Sequence, residues 1–265
     1  MESTKYFNRI LLFIMTLGVV TLLSCSLSGS VLHVKSDDYP HLSNLEVAEF
    51  SFADIKNNNV PYTCNKAYCV SEKEGALWIY DGRKGEDSKS SVLMMNNGYF
   101  VGVNLGHMDG WVRYFPYFSA FPEAGESKVV TDDYFYAFAE ISYELAYLMT
   151  TNPTFTGTNQ CNVYKLYFED DVWNWEIVAT FDGYPNAYYY DDEACILYVS
   201  TYKGVFSVDS SLNLSSLKTP DCWNYLGANS IVKIDRTLYF GTNAGIYAYS
   251  IDGNTAEWYP IEKDD

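Results

Sequence analysis

Short runs of alternating apolar and polar residues cover the chain from about residue 45 onwards and are broken by Gly, Asn and Asp. A period of two is typical of strands that bury one face, and the breaking residues are typical of tight turns. No stretch of this region keeps a helical period over three turns. The pattern therefore predicts an all-β domain over residues 45–265.

A repeated segment indicates how these strands are grouped. The segment from Leu197 to Phe206 recurs from Leu238 to Tyr247, with a spacing of 41 residues throughout. Each copy predicts a strand, a turn that ends in Gly and a second strand. Weaker copies begin near Ala67, Tyr99 and Ala146. A period of about 40–45 residues with several strands per unit indicates a β-propeller, and the length predicts five blades of four antiparallel strands, with a sixth, incomplete blade as the alternative.

The last two copies carry a family resemblance. Leu238-Tyr239-Phe240-Gly241-Thr242, followed by Gly245-Ile246-Tyr247, resembles the LWIGTxxGLYxYD repeat of two-component regulator propellers and of their pyrroloquinoline-quinone-type and kelch relatives. The resemblance covers about 80 residues well and implies a propeller fold. It implies no activity, because propellers serve as enzymes, receptors and scaffolds. The alternating segment from Val47 to Phe52 is expected to pair with the last blade and complete the ring.

The first 25 residues predict export and a lipid anchor. Lys5 and Arg9 precede an apolar run from Ile10 to Leu23, which is shorter than the ~20 residues of a membrane-spanning helix and suits a signal peptide. Leu22-Leu23-Ser24-Cys25 resembles the lipobox of bacterial lipoproteins, which implies lipidation of Cys25. We therefore expect a signal peptide over residues 1–24, a tether rich in Ser, Gly and Asp over 25–44, and a domain held outside the cytoplasm at the cell envelope.

The charge of the chain limits the partners it can bind, and its cysteines indicate a compartment. The chain is acidic, with a net charge of −17, which opposes nucleic-acid binding because such binding requires basic residues against phosphates. A disulfide between Cys64 and Cys69, across a turn at Asn65–Tyr68, is compatible with an oxidising compartment. Cys161, Cys195 and Cys222 lack the spacing of a metal or redox site and are expected to be buried and inert.

Catalytic and metal-binding motifs are absent from the sequence. His107 is the one histidine beyond the tether and is interpreted as a polar turn residue, so neither a catalytic triad nor a histidine-rich metal centre is expected. No cofactor motif is present. Carboxylates at the inner strands are the remaining candidates for glycoside hydrolysis, which needs two facing carboxyl groups. These candidates are Glu140, Asp191, Asp192, Glu193 and Asp235.

The sequence favours a non-enzymatic binding or interaction module for a protein or glycan ligand. Two loops are candidate contact sites, because extra loop length on a rigid scaffold often carries recognition. Tyr117 and Phe118 lie in one loop and Phe155 in the other. A carbohydrate-active enzyme with carboxylates at the propeller axis is the second hypothesis, and a sensory or assembly scaffold is the third.

Overall fold

The computed structural model describes residues 67–82, 88–106, 109–117, 127–152 and 159–260. All of them belong to one compact unit, Tyr39–Asp265. These ranges contain 18 strands, grouped into five sheets, and one short helix. The predicted segment Val47–Phe52 and His107 lie outside the described residues.

The strands follow one another along the chain in sheet order. The first sheet consists of β1 (Ala67–Lys73) and β2 (Ala76–Gly82). The second consists of β3 (Ser88–Met95), β4 (Gly98–Leu105), β5 (Gly110–Pro116) and β6 (Lys128–Thr131). The third consists of β7 (Tyr134–Ser142), β8 (Leu145–Asn152), β9 (Gln160–Glu169) and β10 (Val172–Asp182). The fourth consists of β11 (Pro185–Asp191), β12 (Ile196–Thr201), β13 (Gly204–Asp209) and β14 (Leu214–Leu217). The fifth consists of β15 (Ser230–Ile234), β16 (Thr237–Gly241), β17 (Gly245–Ser250) and β18 (Thr255–Pro260), and it is preceded by α1 (Trp223–Leu226).

Every sheet is antiparallel and pairs strands that are neighbours in the sequence. The 41-residue repeat corresponds to β12–β13 and β16–β17, which start at Ile196, Gly204, Thr237 and Gly245. Four sheets have four strands, whereas the first has two within the described ranges. The predicted all-β propeller is confirmed, and its five sheets match the predicted number of blades.

Apolar side chains join four pairs of neighbouring sheets. One cluster joins the second and third sheets and includes Phe100, Phe135 and Trp173. Others join the third to the fourth and the fourth to the fifth. A last cluster, with Tyr68 and Ile246, joins the fifth sheet back to the first. The third, fourth and fifth sheets thus pack against a neighbour on either side, which removes both of their apolar faces from water.

Backbone hydrogen bonds reinforce the contact between the last and first sheets, which we call the seam. The amide of Tyr68 donates to the carbonyl oxygen of Thr242 at 3.0 Å, and the amide of Val70 donates to Ser230 Oγ at 2.9 Å. The strand β1 includes Ala67 and Tyr68, so the predicted turn at Asn65–Tyr68 is wrong for these two residues. They pair with Gly82 and Asp81 of β2 instead of forming a turn.

The cysteines differ from one another in exposure. Cys161 and Cys222 are buried as predicted, and burial raises the pKa of the Cys161 thiol to about 12. Cys195 is exposed, so the prediction that it is buried is wrong. It lies in the turn between β11 and β12 with φ = 54°, and its thiol lies 3.6 Å from the carbonyl oxygen of Asp192 in the same turn.

Buried tyrosines make the fold sensitive to alkaline pH. Burial raises the pKa of Tyr247 from 10.0 to about 12 and also raises the pKa values of Tyr147, Tyr188 and Tyr198. The fold therefore holds these phenol protons more tightly than the unfolded chain does, and that stability is present below pH ~10 and is lost as pH rises through the raised pKa values. We expect cooperative unfolding between pH ~10 and ~12, measured by circular dichroism together with tyrosinate absorbance. Smooth ionisation of all tyrosines near pH ~10, with an unchanged dichroism spectrum, would contradict this expectation.

Candidate functional site

A group of four aromatic side chains at the turn ends of the second and third sheets forms the candidate site. We call Tyr99, Phe115, Tyr117 and Tyr143 the aromatic platform. Tyr99 and Phe115 lie opposite each other on β4 and β5. Their ring centroids are 5.2 Å apart with an interplanar angle of 10°, and the Tyr117 ring lies 6.3 Å from Tyr99 at an angle of 36°. Strand register pairs Tyr99 with Phe115, and packing of the third sheet against the second brings Tyr143 to the same end.

The platform is open to solvent. Tyr117 is 44% exposed and Tyr143 is 64% exposed, while Tyr99 and Phe115 are half-buried. Partial burial, followed by the neighbouring phenols of Tyr143 and Tyr99, raises the pKa of Tyr117. This phenol therefore keeps its proton at neutral pH, where it can both donate and accept a hydrogen bond.

The turn between β3 and β4 holds the platform in place. The amide of Tyr117 and the hydroxyl of Tyr114 both donate to the carbonyl oxygen of Asn97, at 3.0 and 2.9 Å. Asn97 has φ = 59°, a left-handed conformation that asparagine tolerates better than most residues. The turn thus fixes the end of β5, which carries Phe115 and is followed directly by Tyr117.

The same turn connects the platform to the third sheet. The amide of Asn96 donates to the carbonyl oxygen of Tyr143 at 3.0 Å, and Trp173 Nε1 donates to the carbonyl oxygen of Asn96 at 2.6 Å. The Asn96 side chain also donates from Nδ2 to Glu144 Oε1 at 3.2 Å. An amide and a carboxylate therefore lie beside the rings. Backbone contacts with both sheets pre-organise this surface.

The structure brings one predicted contact residue to the platform. Tyr117 lies on it, whereas Phe118 and Phe155 lie outside the described residues. Sequence reasoning missed Tyr99, Phe115 and Tyr143 as site residues. A hairpin alignment of β4 with β5 would have paired Tyr99 with Phe115, but the contact with Tyr143 depends on how two separate sheets pack.

Of the five candidate catalytic carboxylates, only Asp191 is buried. Asp191 is 3% exposed, and its Oδ2 accepts a hydrogen bond from Lys233 Nζ at 2.6 Å. Glu193 Oε2 lies 3.8 Å from the same ammonium group. Asp191 is thus committed to an ion pair between the fourth and fifth sheets and is closed to a substrate. Two further candidates, Asp192 and Asp235, are exposed turn residues, and Glu140 is exposed on β7.

The predicted lipidation site and disulfide involve residues that the structure does not describe. Cys25 and Cys64 lie outside the described residues, so lipidation and the disulfide with Cys69 stay predictions; Cys69 Sγ lies 3.2 Å from Asn229 Oδ1. No cluster of three or more His, Cys, Asp or Glu side chains in the described ranges could hold a metal ion. Among those same ranges, no helix has the length and apolar character needed to cross a membrane.

The comparisons with known proteins identify no family. No family model matches the chain, and no curated protein matches it. Among solved structures, the chain is similar to the extracellular domain of a putative one-component system from B. thetaiotaomicron, with 17% identity, a TM-score of 0.41 and coverage of 68% of this chain and 23% of that one. It is also similar to TolB from Acinetobacter baumannii, with 9% identity, a TM-score of 0.39 and coverage of 76% and 54%. The chain thus spans less than two thirds of the length of either protein.

Proposed function

We propose that this protein is a lipid-anchored, extracytoplasmic β-propeller that binds a glycan on the aromatic platform without transforming it. The observation that carries the proposal is the set of four rings, two exposed and two half-buried, that the Asn96–Asn97 turn holds together. The signal-like residues 1–24 and the lipobox at Cys25 support the location. The acidic surface supports a neutral glycan as the ligand rather than a nucleic acid or an anionic lipid surface.

The chemistry of the platform suits a sugar. The apolar C–H face of a pyranose packs on aromatic rings, and the near-parallel rings of Tyr99 and Phe115 offer a flat surface for it. The phenols, the Asn96 amide and the Glu144 carboxylate supply hydrogen-bonding groups at the edge for sugar hydroxyls. Because the backbone of the site is already fixed, little conformational entropy is lost on binding.

Calorimetric titration of the full-length protein in detergent with a panel of neutral oligosaccharides tests the proposal. An aromatic contact is worth about 0.5–1.5 kcal/mol, so Tyr117→Ala and Tyr143→Ala should each weaken binding roughly two- to tenfold. Tyr117→Phe keeps the aromatic ring and should lose less affinity for the oligosaccharide than Tyr117→Ala. Tyr225→Ala is the matched control, since Tyr225 is an exposed tyrosine (39%) on α1, and it should bind with unchanged affinity.

Two outcomes contradict the proposal. One is the absence of binding for every glycan in the panel, and the other is an equal loss of affinity in Tyr225→Ala. Release of reducing sugar from any bound glycan would favour the carbohydrate-active enzyme instead. Asp191, which is buried, is held in an ion pair with Lys233, and the other candidate carboxylates are exposed, so we expect no turnover.

The lipid anchor has an independent test. Cells that express the full chain should incorporate labelled fatty acid into it, and Cys25→Ala should abolish the incorporation. Cys195→Ala removes an exposed cysteine within the propeller and should leave the labelling unchanged. Equal labelling of Cys25→Ala and the unsubstituted protein would reject the anchor.

A further inference from the structure

A cavity of about 370 Å³ lies beside the turn between β12 and β13. Its walls come from Tyr202 and Lys203 of that turn and from the connector between β14 and β15, which contributes Thr219, Asp221, Trp223 and Asn224. Successive turns of an antiparallel sheet lie at opposite ends of its strands. The cavity therefore occupies the end of the propeller opposite the aromatic platform, and its volume falls in the range of small-molecule sites, about 300–1,000 Å³.

The connector is fixed to two blades. Trp223 is 3% exposed, and its Nε1 donates to the carbonyl oxygen of Thr201 at 2.9 Å. The Trp223 ring packs edge-on against Phe240 with centroids 5.4 Å apart. The hydroxyl of Tyr247 donates a hydrogen bond to the carbonyl oxygen of Lys218 at 3.1 Å. The amide of Asn243 donates a hydrogen bond to the carbonyl oxygen of Leu226 at 2.9 Å. These contacts with the fourth and fifth sheets keep the cavity open in the ligand-free protein.

Opposite charges line this cavity without neutralising each other. The ammonium group of Lys203 lies over the Tyr202 ring, 5.1 Å from its centroid. Asp221 lies on the connector side of the cavity. Within the described residues, ion pairs link Lys233 to Asp191 and Glu193, and Arg236 to Asp252; Lys203 and Asp221 take part in none of them.

We propose that the cavity binds a free amino acid. The carboxylate of the ligand pairs with the Lys203 ammonium group, and the α-ammonium group pairs with the Asp221 carboxylate. The Thr219 hydroxyl and the Asn224 amide supply neutral hydrogen-bonding groups between them, and the Tyr202 ring offers an apolar contact for the ligand's side chain. A neutral sugar would leave both charges unpaired, and an anion would face Asp221. A zwitterion is the ligand class that satisfies both walls.

Calorimetry on the full-length protein with the twenty free amino acids tests the proposal, followed by the N-acetyl and carboxamide derivatives of the tightest ligand. Because Lys203 and Asp221 are exposed, each charged contact is screened by solvent, and capping either end should weaken binding about two- to fivefold. Lys203→Gln should bind the free acid and the carboxamide equally, and Asp221→Asn should bind the free and N-acetylated forms equally. Both side chains are exposed, so the variants should keep the dichroism spectrum of the parent.

Three results would overturn the proposal: no binding of any free amino acid, equal binding of free and capped forms, or discrimination that survives both substitutions. Tighter binding of a neutral hexose at this cavity would also overturn it. Tyr117→Ala should leave amino acid binding unchanged, because it alters the aromatic platform alone. That variant separates a failure here from a failure of the proposed glycan binding.

Discussion

Lys233→Met is expected to destabilise the protein by about 3 kcal/mol, because loss of one partner leaves a buried charge uncompensated. The side chains of Lys233 and Asp191 are 14% and 4% exposed, and they meet at 2.6 Å. Asp191 Oδ1 also accepts hydrogen bonds from the amides of Glu193 and Ala194, at 3.2 and 3.3 Å. Removal of the ammonium group leaves the buried Asp191 carboxyl group between two blades with these weak partners alone.

Urea denaturation at neutral pH measures this loss, and two variants control it. Arg236→Met breaks the ion pair with Asp252, whose side chains are 77% and 55% exposed, and should cost less than about 1 kcal/mol. Adding Asp191→Asn to Lys233→Met removes the uncompensated charge and should restore part of the stability. The hydrogen bond that Lys233 donates to Asp191 raises the pKa of Lys233, so the stability that this ion pair contributes is present at neutral pH and is lost as pH rises through that raised pKa. Equal losses for Lys233→Met and Arg236→Met would contradict the prediction.

Gly241→Ala is expected to weaken the seam between the fifth and first sheets. A Cβ atom at this position would lie 2.2 Å from the carbonyl oxygen of Tyr68 and 2.8 Å from the Cα of Cys69. The nearest obstacle is backbone, which cannot rotate aside as a side chain can. Overpacking of this kind costs about 1–3 kcal/mol, and here the strain falls on the hydrogen bond between Tyr68 and Thr242.

Amide hydrogen exchange of β1 measures this weakening, with thermal unfolding as a second readout. Gly204→Ala is the matched control on β13, because a Cβ atom there would meet no other heavy atom closer than 3.7 Å. We expect faster exchange at Tyr68 and Val70 in Gly241→Ala and unchanged exchange there in Gly204→Ala. Unchanged protection of β1 in both variants would show that the seam tolerates the added methyl group.

The sequence predicts the strands well because each one satisfies a local rule. The repeat at Leu197 and Leu238 has the same spacing as β12 and β16. Contacts between sheets were harder to predict. Lys233 of β15 meets Asp191 of β11 across 42 residues, a pairing that depends on how two blades stack rather than on the pattern within either blade.

The candidate site was also only partly predictable from the sequence, because it too depends on contacts between sheets. Tyr117 could be selected because it lies in an aromatic segment after a strand, but the exposure of its ring depends on the end of the sheet at which it lies. The cavity beside Tyr202 gives no signal in the repeat, because its second wall is the connector around Trp223, which is absent from the other repeats. Sequence periodicity predicts what the blades share, and here both candidate sites depend on what differs between them.

The seam also determines when folding can finish. The hydrogen bond between Val70 and Ser230 joins residues 160 positions apart, so the first sheet emerges from the ribosome long before its packing partner exists. Contacts between residues so far apart in the sequence slow folding. The apolar face that carries Tyr68 and Val70 stays exposed to solvent until the fifth sheet has formed. The risk that a nascent chain of this protein aggregates is therefore highest before its fifth blade has been synthesised.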